Sequence, residues 1–420
     1  MPLTEYFSAS ERRIEKTTCS VCRGFARFCK LTTCPYYRNI LTESEMAKIT
    51  SGVVYGPSPP TVIVGEKGYP RVRIGPAVSL ADHPEPWVFE EPSKWIETSL
   101  DKLLSLRLSL FYGRTVKPVM SAAKQEKMLE DLQDSAASTK PVDVEIRFEG
   151  KPITMPGFSV RNAPHGPSAR IEMLKLVGNV SVPRKVDSMI NDLDLPAAEA
   201  VQTLYLDGFN EYYLTRVFST GLLGRKAERR LVPTEWSITA VDDIISKKLF
   251  EEVRRNTVIH EFRLHTHQAV ENAAHIILTP TPWIYELLEG WVKHPDSQPY
   301  SDHEILTLRK TYAENTGGAF YAVRLSLLRH LKKRREQAGA IVFFEILPRW
   351  IPLGVWRFRE IVRKALEKPF EKHQSLDDAL ESVSKMLRIP LYKYVSQSRL
   401  ISFLRKQQTL AKTKLWQDRT

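Results

Sequence analysis

Apolar and polar positions alternate along this chain in a way that predicts short strands mixed with amphipathic helices. Thr61-Val-Ile-Val-Gly and Tyr69-Pro-Arg-Val-Arg-Ile-Gly flank Glu66-Lys67-Gly68, the pattern of two strands joined by a turn. On the second strand Arg71 and Arg73 share one face and Val72 and Ile74 the other. The arginines therefore stand on a solvated face or against a phosphate. Helical spacing of Trp95, Leu100, Leu103, Leu104 and Leu108 predicts a helix within 93–112. A polar helix follows over 122–136, paired strands over 141–160 and extended chain over 170–182.

Residues 236–278 are mixed in pattern, and Pro280 and Pro282 predict a helix start running through Trp291. The stretch 302–337 reads as a long helix interrupted near Gly317-Gly318, and 341–346 as an apolar strand. Helices follow over 357–366, over 375–386 with a Ser375/Asp378 capping-box start, and near 397–406. No internal repeat is visible. The class is α+β, with the sheet concentrated in the first half and a helix-rich C-terminal half ending in a flexible tail.

A chain of 420 residues predicts two or three structural units. They divide as residues 1–50, a four-cysteine module; 51–190, a strand-rich α+β part; 191–404, a helix-rich basic part; and 405–420, the tail. An aromatic content of 10% and ample aliphatic residues exclude a largely disordered protein. No run of 18 uncharged apolar residues occurs, which argues against a helical membrane span, and the N-terminus lacks the apolar core of a secretory signal. The expected location is the cytoplasm.

Sixty-one Lys and Arg against 49 Asp and Glu leave a net charge of +12, which favours a polyanionic partner, nucleic acid foremost. Residues 320–370 hold twelve basic side chains against four acidic ones, and the last thirty residues hold seven against Asp418 alone. The cationic surface is therefore expected in the C-terminal half. Arg324, Lys332, Lys333, Arg334 and Arg335, together with Arg329, lie on one predicted helix and are candidate contacts to DNA phosphates.

All four cysteines fall within sixteen residues, as Cys19, Cys22, Cys29 and Cys34. Four thiolates at this range suit a tetrahedral Zn²⁺, with Zn–S bonds of about 2.3 Å. Two disulfides are the first alternative, which a cytoplasmic chain disfavours; an iron–sulfur cluster is the second, though the usual ferredoxin spacings differ. A zinc ion with four cysteine ligands is structural and would supply folding energy to a segment too short to build its own core. The interleaved Arg23, Phe25, Arg27, Phe28 and Lys30 would either grip a nucleic-acid backbone or pack the knuckle on the body.

Three further groups invite chemistry. Asp187, Asp192 and Asp194 beside Arg184 and Lys185 are a candidate Mg²⁺ site, or an ordinary turn and helix-capping sequence. His260, His265, His267 and His275 include a His-x-His pair, which on a strand points both rings to one face. The segment from Gly221 to Asp243 combines Gly, Arg, Ser and Thr in a way that suits a phosphate, without P-loop spacing, as does the shorter stretch from His165 to Arg170. None of these names an active site.

Near the end of the chain, Leu415 and Trp416 form an aliphatic–aromatic pair in a basic, polar tail. The peptide motif that docks on sliding clamps places Gln at position one, an aliphatic residue at four and aromatics at seven and eight. With Lys412 at position one, Leu415 falls at four; with Gln408 at position one, Leu415 falls at eight. Neither register supplies both aromatics.

The ordered blocks Cys19 to Cys34, Val62-Ile-Val-Gly-Glu-Lys-Gly-Tyr-Pro-Arg-Val, Arg184-Lys-Val-Asp-Ser-Met-Ile-Asn-Asp-Leu-Asp-Leu, Leu231 to Asp243 and Pro352-Leu-Gly-Val-Trp-Arg-Phe-Arg-Glu span nearly the whole chain. Together they resemble the archaeal NreA family of DNA-repair proteins. The resemblance implies a four-cysteine zinc finger at the cysteines named above, and a C-terminal motif for the clamp PCNA at Leu415 and Trp416. It implies participation in DNA-damage repair with PCNA as recruiter; taken with the charge distribution, the expected function is a repair factor that binds DNA through a basic surface of its C-terminal half and is recruited by PCNA through its C-terminal peptide. The alternative is a metal- or phosphate-dependent enzyme acting on nucleic acid or nucleotides, with the aspartate group or the Gly221 segment as its site.

Overall fold

A computed structural model describes residues 43–406 apart from 60, 81–85, 125, 154–162 and 294–297. The four cysteines and the tail residues Gln408, Lys412, Leu415 and Trp416 lie outside the described residues. The chain forms two compact units. One comprises residues 43–248 with Ile351–Glu360, the other Leu249–Trp350 with residues 361–406.

In chain order the elements are α1 (Glu43–Thr50), β1 (Val53–Ser58), β2 (Val62–Gly65), β3 (Arg71–Ser79), α2 (Pro92–Trp95), α3 (Leu100–Leu108), β4 (Leu110–Pro118), α4 (Lys127–Ala137), β5 (Val142–Ile153) and β6 (Ser168–Leu176). They continue with α5 (Arg184–Asn191), α6 (Ala197–Leu206), α7 (Glu211–Ser219), α8 (Thr234–Val253), β7 (Thr257–Val258), β8 (Phe262–Ala269), β9 (Asn272–Thr279), β10 (Ile284–Trp291) and β11 (Tyr300–Ile305). The last are α9 (Gly318–Arg334), β12 (Glu336–Gln337), β13 (Gly339–Ile346), α10 (Trp356–Glu367), β14 (Glu371–His373), α11 (Leu376–Ser384), α12 (Leu391–Gln397) and α13 (Arg399–Lys406). The α+β class is as expected.

The first unit is built on a six-stranded sheet in the order β1-β5-β6-β4-β3-β2, antiparallel except between β4 and β6. The period-two pattern of β3 is realised directly: Val72 and Ile74 are fully buried while Arg71 and Arg73 are exposed. Val142, Val144 and Ile146 of β5 also face the core. Helix α4 turns Leu129, Leu132 and Ala136 inward at helical spacing and packs against β2, β3 and β6.

The second unit holds its own six-stranded sheet, β11-β10-β13-β9-β8-β14, parallel only between β10 and β13. Strands β9 and β13 are buried along their full length, as strands covered on both faces should be. One face carries Leu264, Ile277, Ile341 and Phe343, which pack with Leu380, Val383, Leu400 and Ile401 of α11 and α13. Gly290 permits this approach, because a Cβ there would lie 2.1 Å from the Tyr394 hydroxyl.

Strands are thus not confined to the first half of the chain. The segment expected as a helix through Trp291 is strand β10, and the start of the long helix expected over 302–337 lies instead in strand β11. The helix proper begins only at Gly318. Glu286 and Glu289 give β10 a helix-like spacing in sequence, yet both are buried. Glu286 accepts hydrogen bonds from the backbone N–H groups of Arg399 (2.9 Å) and Leu400 (3.2 Å) at the start of α13. The partner that makes this glutamate tolerable in a buried strand lies more than a hundred residues away.

Candidate nucleic-acid interface

The cations of α9 divide by helical geometry. Arg324 is on the inner face with Leu328 and Leu331, four and seven residues on, and is fully buried. Its Nη1 donates to Glu304 Oε2 at 3.2 Å, and the carboxylate also accepts from Trp283 Nε1 at 2.9 Å. Arg324 therefore does not belong to a phosphate-binding surface: its charge is spent inside the second unit. Lys332 pairs with Glu252 at 2.9 Å and Arg334 with Glu336 at 2.7 Å. Lys333 and Arg335 are exposed.

The two-residue ribbon of β7 and β12 brings the end of α8 beside the end of α9, in the register Glu336 to Thr257. Exposed Arg254 and Arg255 thereby join Lys333 and Arg335 at one end of this unit. Arg254 is paired with Glu251 at 3.7 Å. Cations at two helix C-termini also offset the helix dipoles, which accounts for part of their presence without any ligand. Elsewhere in 320–370, Arg357 and Arg359 are buried, the latter bonded to Asp242 Oδ1 at 2.6 Å. Sequence charge overstated the C-terminal cationic surface for this reason.

A second basic surface lies on the outer face of the first sheet. Arg73 stands opposite Val116, and Arg114 of β4 opposite Arg170 of β6. Burial lowers the Arg114 pKa and the nearby Arg73 lowers it further. Among the described residues no carboxylate lies within ion-pair distance of Arg71, Arg73 or Arg114. Arg170 has a weak partner in Glu149 at 3.3 Å, both side chains largely exposed. Three unpaired guanidinium groups on one sheet face, two of them repelling, are an arrangement that an anion would relieve.

Two exposed aromatic rings lie at the turn between β2 and β3, next in sequence to Arg71. Tyr69, in the turn that opens β3, is 47% exposed, and Trp236 in the first turn of α8 is 41% exposed. Their ring centroids are 5.0 Å apart at 45°. Trp236 Nε1 donates to Glu66 Oε2 at 3.0 Å, and the Val64 N–H donates to Thr234 Oγ1 at 2.9 Å, which fixes the start of α8 on the β2 edge. Gly68, at a φ of +94°, closes the turn where another residue would meet the Arg71 carbonyl. Sequence reasoning found Arg71 and Arg73 but missed this pair, whose members are 167 residues apart; only Arg114, on an alternating strand, left a local signal.

The other sequence candidates resolve into structural roles. Asp192 Oδ1 accepts from the N–H groups of Asp194 and Leu195, both at 3.1 Å, the geometry of an Asx turn. Arg229 spends its guanidinium on the carbonyls of Gly224 at 2.8 Å and Ile190 at 2.6 Å. His165 is packed against the Tyr112 ring at 4.9 Å, and burial lowers its pKa to about 4.

His265 and His267 share a face of β8, as the spacing predicts. His265 is buried between the rings of His330 at 5.8 Å and Phe370 at 5.0 Å, whereas His267 Nδ1 meets Lys368 Nζ at 2.9 Å near the surface. His275 is paired across to Thr266, and so sits on the opposite face of the sheet. Among the described residues no three His, Cys, Asp or Glu side chains are grouped so as to hold a metal ion. No helix among them is long and apolar enough to cross a membrane.

Two family descriptions match the sequence, "Archaeal Nre, N-terminal" over residues 28–296 and "Archaeal Nre, C-terminal" over residues 304–412. DNA repair protein NreA of Archaeoglobus fulgidus is 35% identical over 373 residues, which cover 87% of this chain and 93% of that protein. DNA repair protein NreB of the same organism is 33% identical over 392 residues, 91% of this chain and 96% of that protein. DNA repair protein NreA of Haloferax volcanii is 33% identical over 352 residues, 80% of this chain and 84% of that protein. No solved structure matches the chain. Two family matches that together run through both compact units, with relatives aligned over most of their length, establish that the chain belongs to the archaeal Nre family.

Proposed function

We propose that this protein is a DNA-damage repair factor that binds DNA through the arginine and aromatic face of its first unit and is recruited to the sliding clamp PCNA by its C-terminal peptide. The repair role rests on the relatives, each named a DNA repair protein. The observation that carries DNA binding is the face of Arg71, Arg73 and Arg114, with no described carboxylate partner, next to the exposed Tyr69–Trp236 pair. Guanidinium groups track phosphates and exposed rings stack on unpaired bases, a combination suited to single-stranded or locally opened DNA. Lys333 and Arg335 with Arg254 and Arg255 form a separate patch that would add sequence-independent affinity. Cys19, Cys22, Cys29 and Cys34 are assigned to a structural Zn²⁺, on the chemistry of four thiolates at short spacing.

In a gel-shift series across salt concentrations, Arg71→Ala/Arg73→Ala is expected to flatten the dependence of log K on log[salt] by about 2 on duplex DNA, about 0.9 for each lost phosphate contact. Trp236→Ala is expected to weaken single-strand binding by about 1–3 kcal/mol while leaving that slope alone. Unchanged binding in both variants would remove this face from the reading. For recruitment, a peptide of residues 405–420 is expected to bind the purified clamp at micromolar concentration by calorimetry, and its Leu415→Ala/Trp416→Ala version is expected not to. Tethering of this kind raises the local concentration of the protein near DNA even where its intrinsic affinity is modest. Absence of binding by both the peptide and the full chain would sink the clamp assignment.

A further inference from the structure

Strand β11 is an edge of the second sheet and pairs only with β10. Its ladder has a definite phase, because hydrogen-bonded pairs recur at every second residue of an antiparallel strand. The Leu306 N–H donates to the Trp283 carbonyl at 2.8 Å, so the residues in step with Leu306, Asp302 and Glu304, turn their backbone groups towards β10. Ser301, His303 and Ile305 turn theirs away. The Ser301 carbonyl accepts from Asn315 Nδ2 at 2.8 Å, as that phase requires. Among the described residues no hydrogen bond engages the backbone N–H or carbonyl of His303 or of Ile305. Two donors and two acceptors therefore stand open along the edge.

A groove runs along this edge, with walls from both faces of the sheet. Arg399, at the start of α13, stands on the face of Ser301 and His303, held by the bond from its N–H to Glu286 at 2.9 Å. Arg309 and Asn315 stand on the other face. There Asp302 Oδ1 accepts from Arg309 Nη1 at 2.8 Å and Oδ2 from the Asn315 N–H at 3.0 Å. Glu304 is held by Trp283 and Arg324, so both carboxylates of β11 are spent inside the unit. The Arg399 side chain is exposed, and among the described residues it has no ion-pair partner. Ile305 is 37% exposed at the far end of the strand.

We propose that β11 accepts an extended acidic peptide of a partner protein as a further strand of the second sheet. Backbone chemistry selects a peptide: the open N–H and carbonyl groups match those of another strand, whereas a phosphodiester has no donor for the two carbonyls. Charge selects among peptides. A residue set opposite His303 carries its side chain on the face of Arg399, where a carboxylate meets a cation. The residue two positions on lies opposite Ile305 and meets an apolar side chain. Charge also disfavours a second copy of this chain. Antiparallel self-pairing about His303 would set two Arg399 guanidinium groups on one face of the joint, with the carboxylates of β11 already spent. The proposal is independent of the DNA-binding reading, which rests on the first unit.

The test uses the full chain and fluorescein-labelled, end-blocked peptides, read by anisotropy. The probe is Thr-Val-Thr-Asp-Thr-Val, in which valine stands two positions to each side of the acid, so that it fits in either direction; the control has Lys in place of Asp. Two variants are compared, each checked for fold by its urea midpoint. Ile305→Pro removes an outward donor and leaves the ladder to β10 intact, since an edge strand tolerates proline where the N–H faces away from the sheet. Arg399→Glu reverses the charge of the wall. The aspartate peptide is expected to bind about tenfold more tightly than its lysine control, a difference that Arg399→Glu inverts, and Ile305→Pro is expected to weaken it about tenfold. N-methylation of one alternate set of peptide amides is expected to abolish binding, and of the other set to spare it, as only one set faces the edge. Equal binding of the two peptides, or binding indifferent to Ile305→Pro and to both N-methylated sets, overturns the proposal. So does absence of peptide binding at millimolar concentration. A dimer in light scattering that Ile305→Pro dissolves would give the edge to a second copy instead. Binding of an oligonucleotide but not of the peptides, lost in Arg399→Glu, would give the groove to nucleic acid.

Discussion

Lowering the pH from 7 to 5 is expected to destabilise the second compact unit by several kcal/mol. Three histidines in that unit, His265, His275 and His330, have pKa values lowered to about 4 from 6.5, with burial the largest cause in each case. Neighbouring cations add to it: Arg263 and Arg334 at His265, His265 itself and Arg334 at His330, and Arg388 at His275. A histidine held neutral by the fold takes up its proton only on unfolding. Its stabilising contribution is complete above 6.5 and is lost as the pH falls from there towards 4. At pH 5 the loss is about 2 kcal/mol for a fully buried ring, and less for the half-buried His330.

Three such rings sum to a large fraction of the 5–15 kcal/mol that holds a typical domain. Glu304 and Glu345 act in the opposite sense, because burial raises their pKa values and the folded state then gains protons first on acidification. They offset part of the effect. Among the described residues of the first unit one ring is of this kind, His165, and that unit is expected to lose less. Urea unfolding at pH 7, 6 and 5, with hydrogen exchange to separate the units, checks the prediction. Equal stability of the second unit at all three values would show that these rings are not held neutral by the fold. His275→Leu is expected to reduce the pH dependence by the share of one ring.

Where sequence reasoning succeeded, the deciding interactions were local. The alternation on β3 placed Arg71 and Arg73 outward because two-residue periodicity is a property of any strand. Ser375 caps α11 by accepting from the Asp378 N–H at 3.1 Å, an interaction contained within four residues. Arg324 was misplaced although its burial was legible: its spacing to Leu328 and Leu331 puts it on their face, but a run of neighbouring cations drew it into the surface group. The aromatic pair was not legible at all. Tyr69 meets Trp236 only after strands and helices far apart in sequence have packed. The clearest case is β10, where two buried glutamates imitate a polar helix face, and the role of Glu286 depends on α13, more than a hundred residues further on.

That role predicts the largest effect of any single substitution. Glu286 is fully buried and accepts from Ser301 Oγ at 2.8 Å, from Ser398 Oγ, and from the N–H groups of Arg399 and Leu400. A carboxylate at the first turn of α13 satisfies donors that a helix N-terminus leaves unpaired and favours the positive end of its dipole. Glu286→Ala removes all four bonds and leaves buried N–H groups with no acceptor, at a cost of about 3–5 kcal/mol. Leu400 and Ile401, fully buried, would keep the helix near the sheet but without its anchor. Hydrogen exchange is therefore expected to show lost protection over 399–406 together with a lower urea midpoint. Glu286→Gln retains an acceptor oxygen for the backbone groups and is expected to cost less than half as much. Loss of protection confined to other elements, with 399–406 unaffected, would mean that apolar packing alone holds this helix.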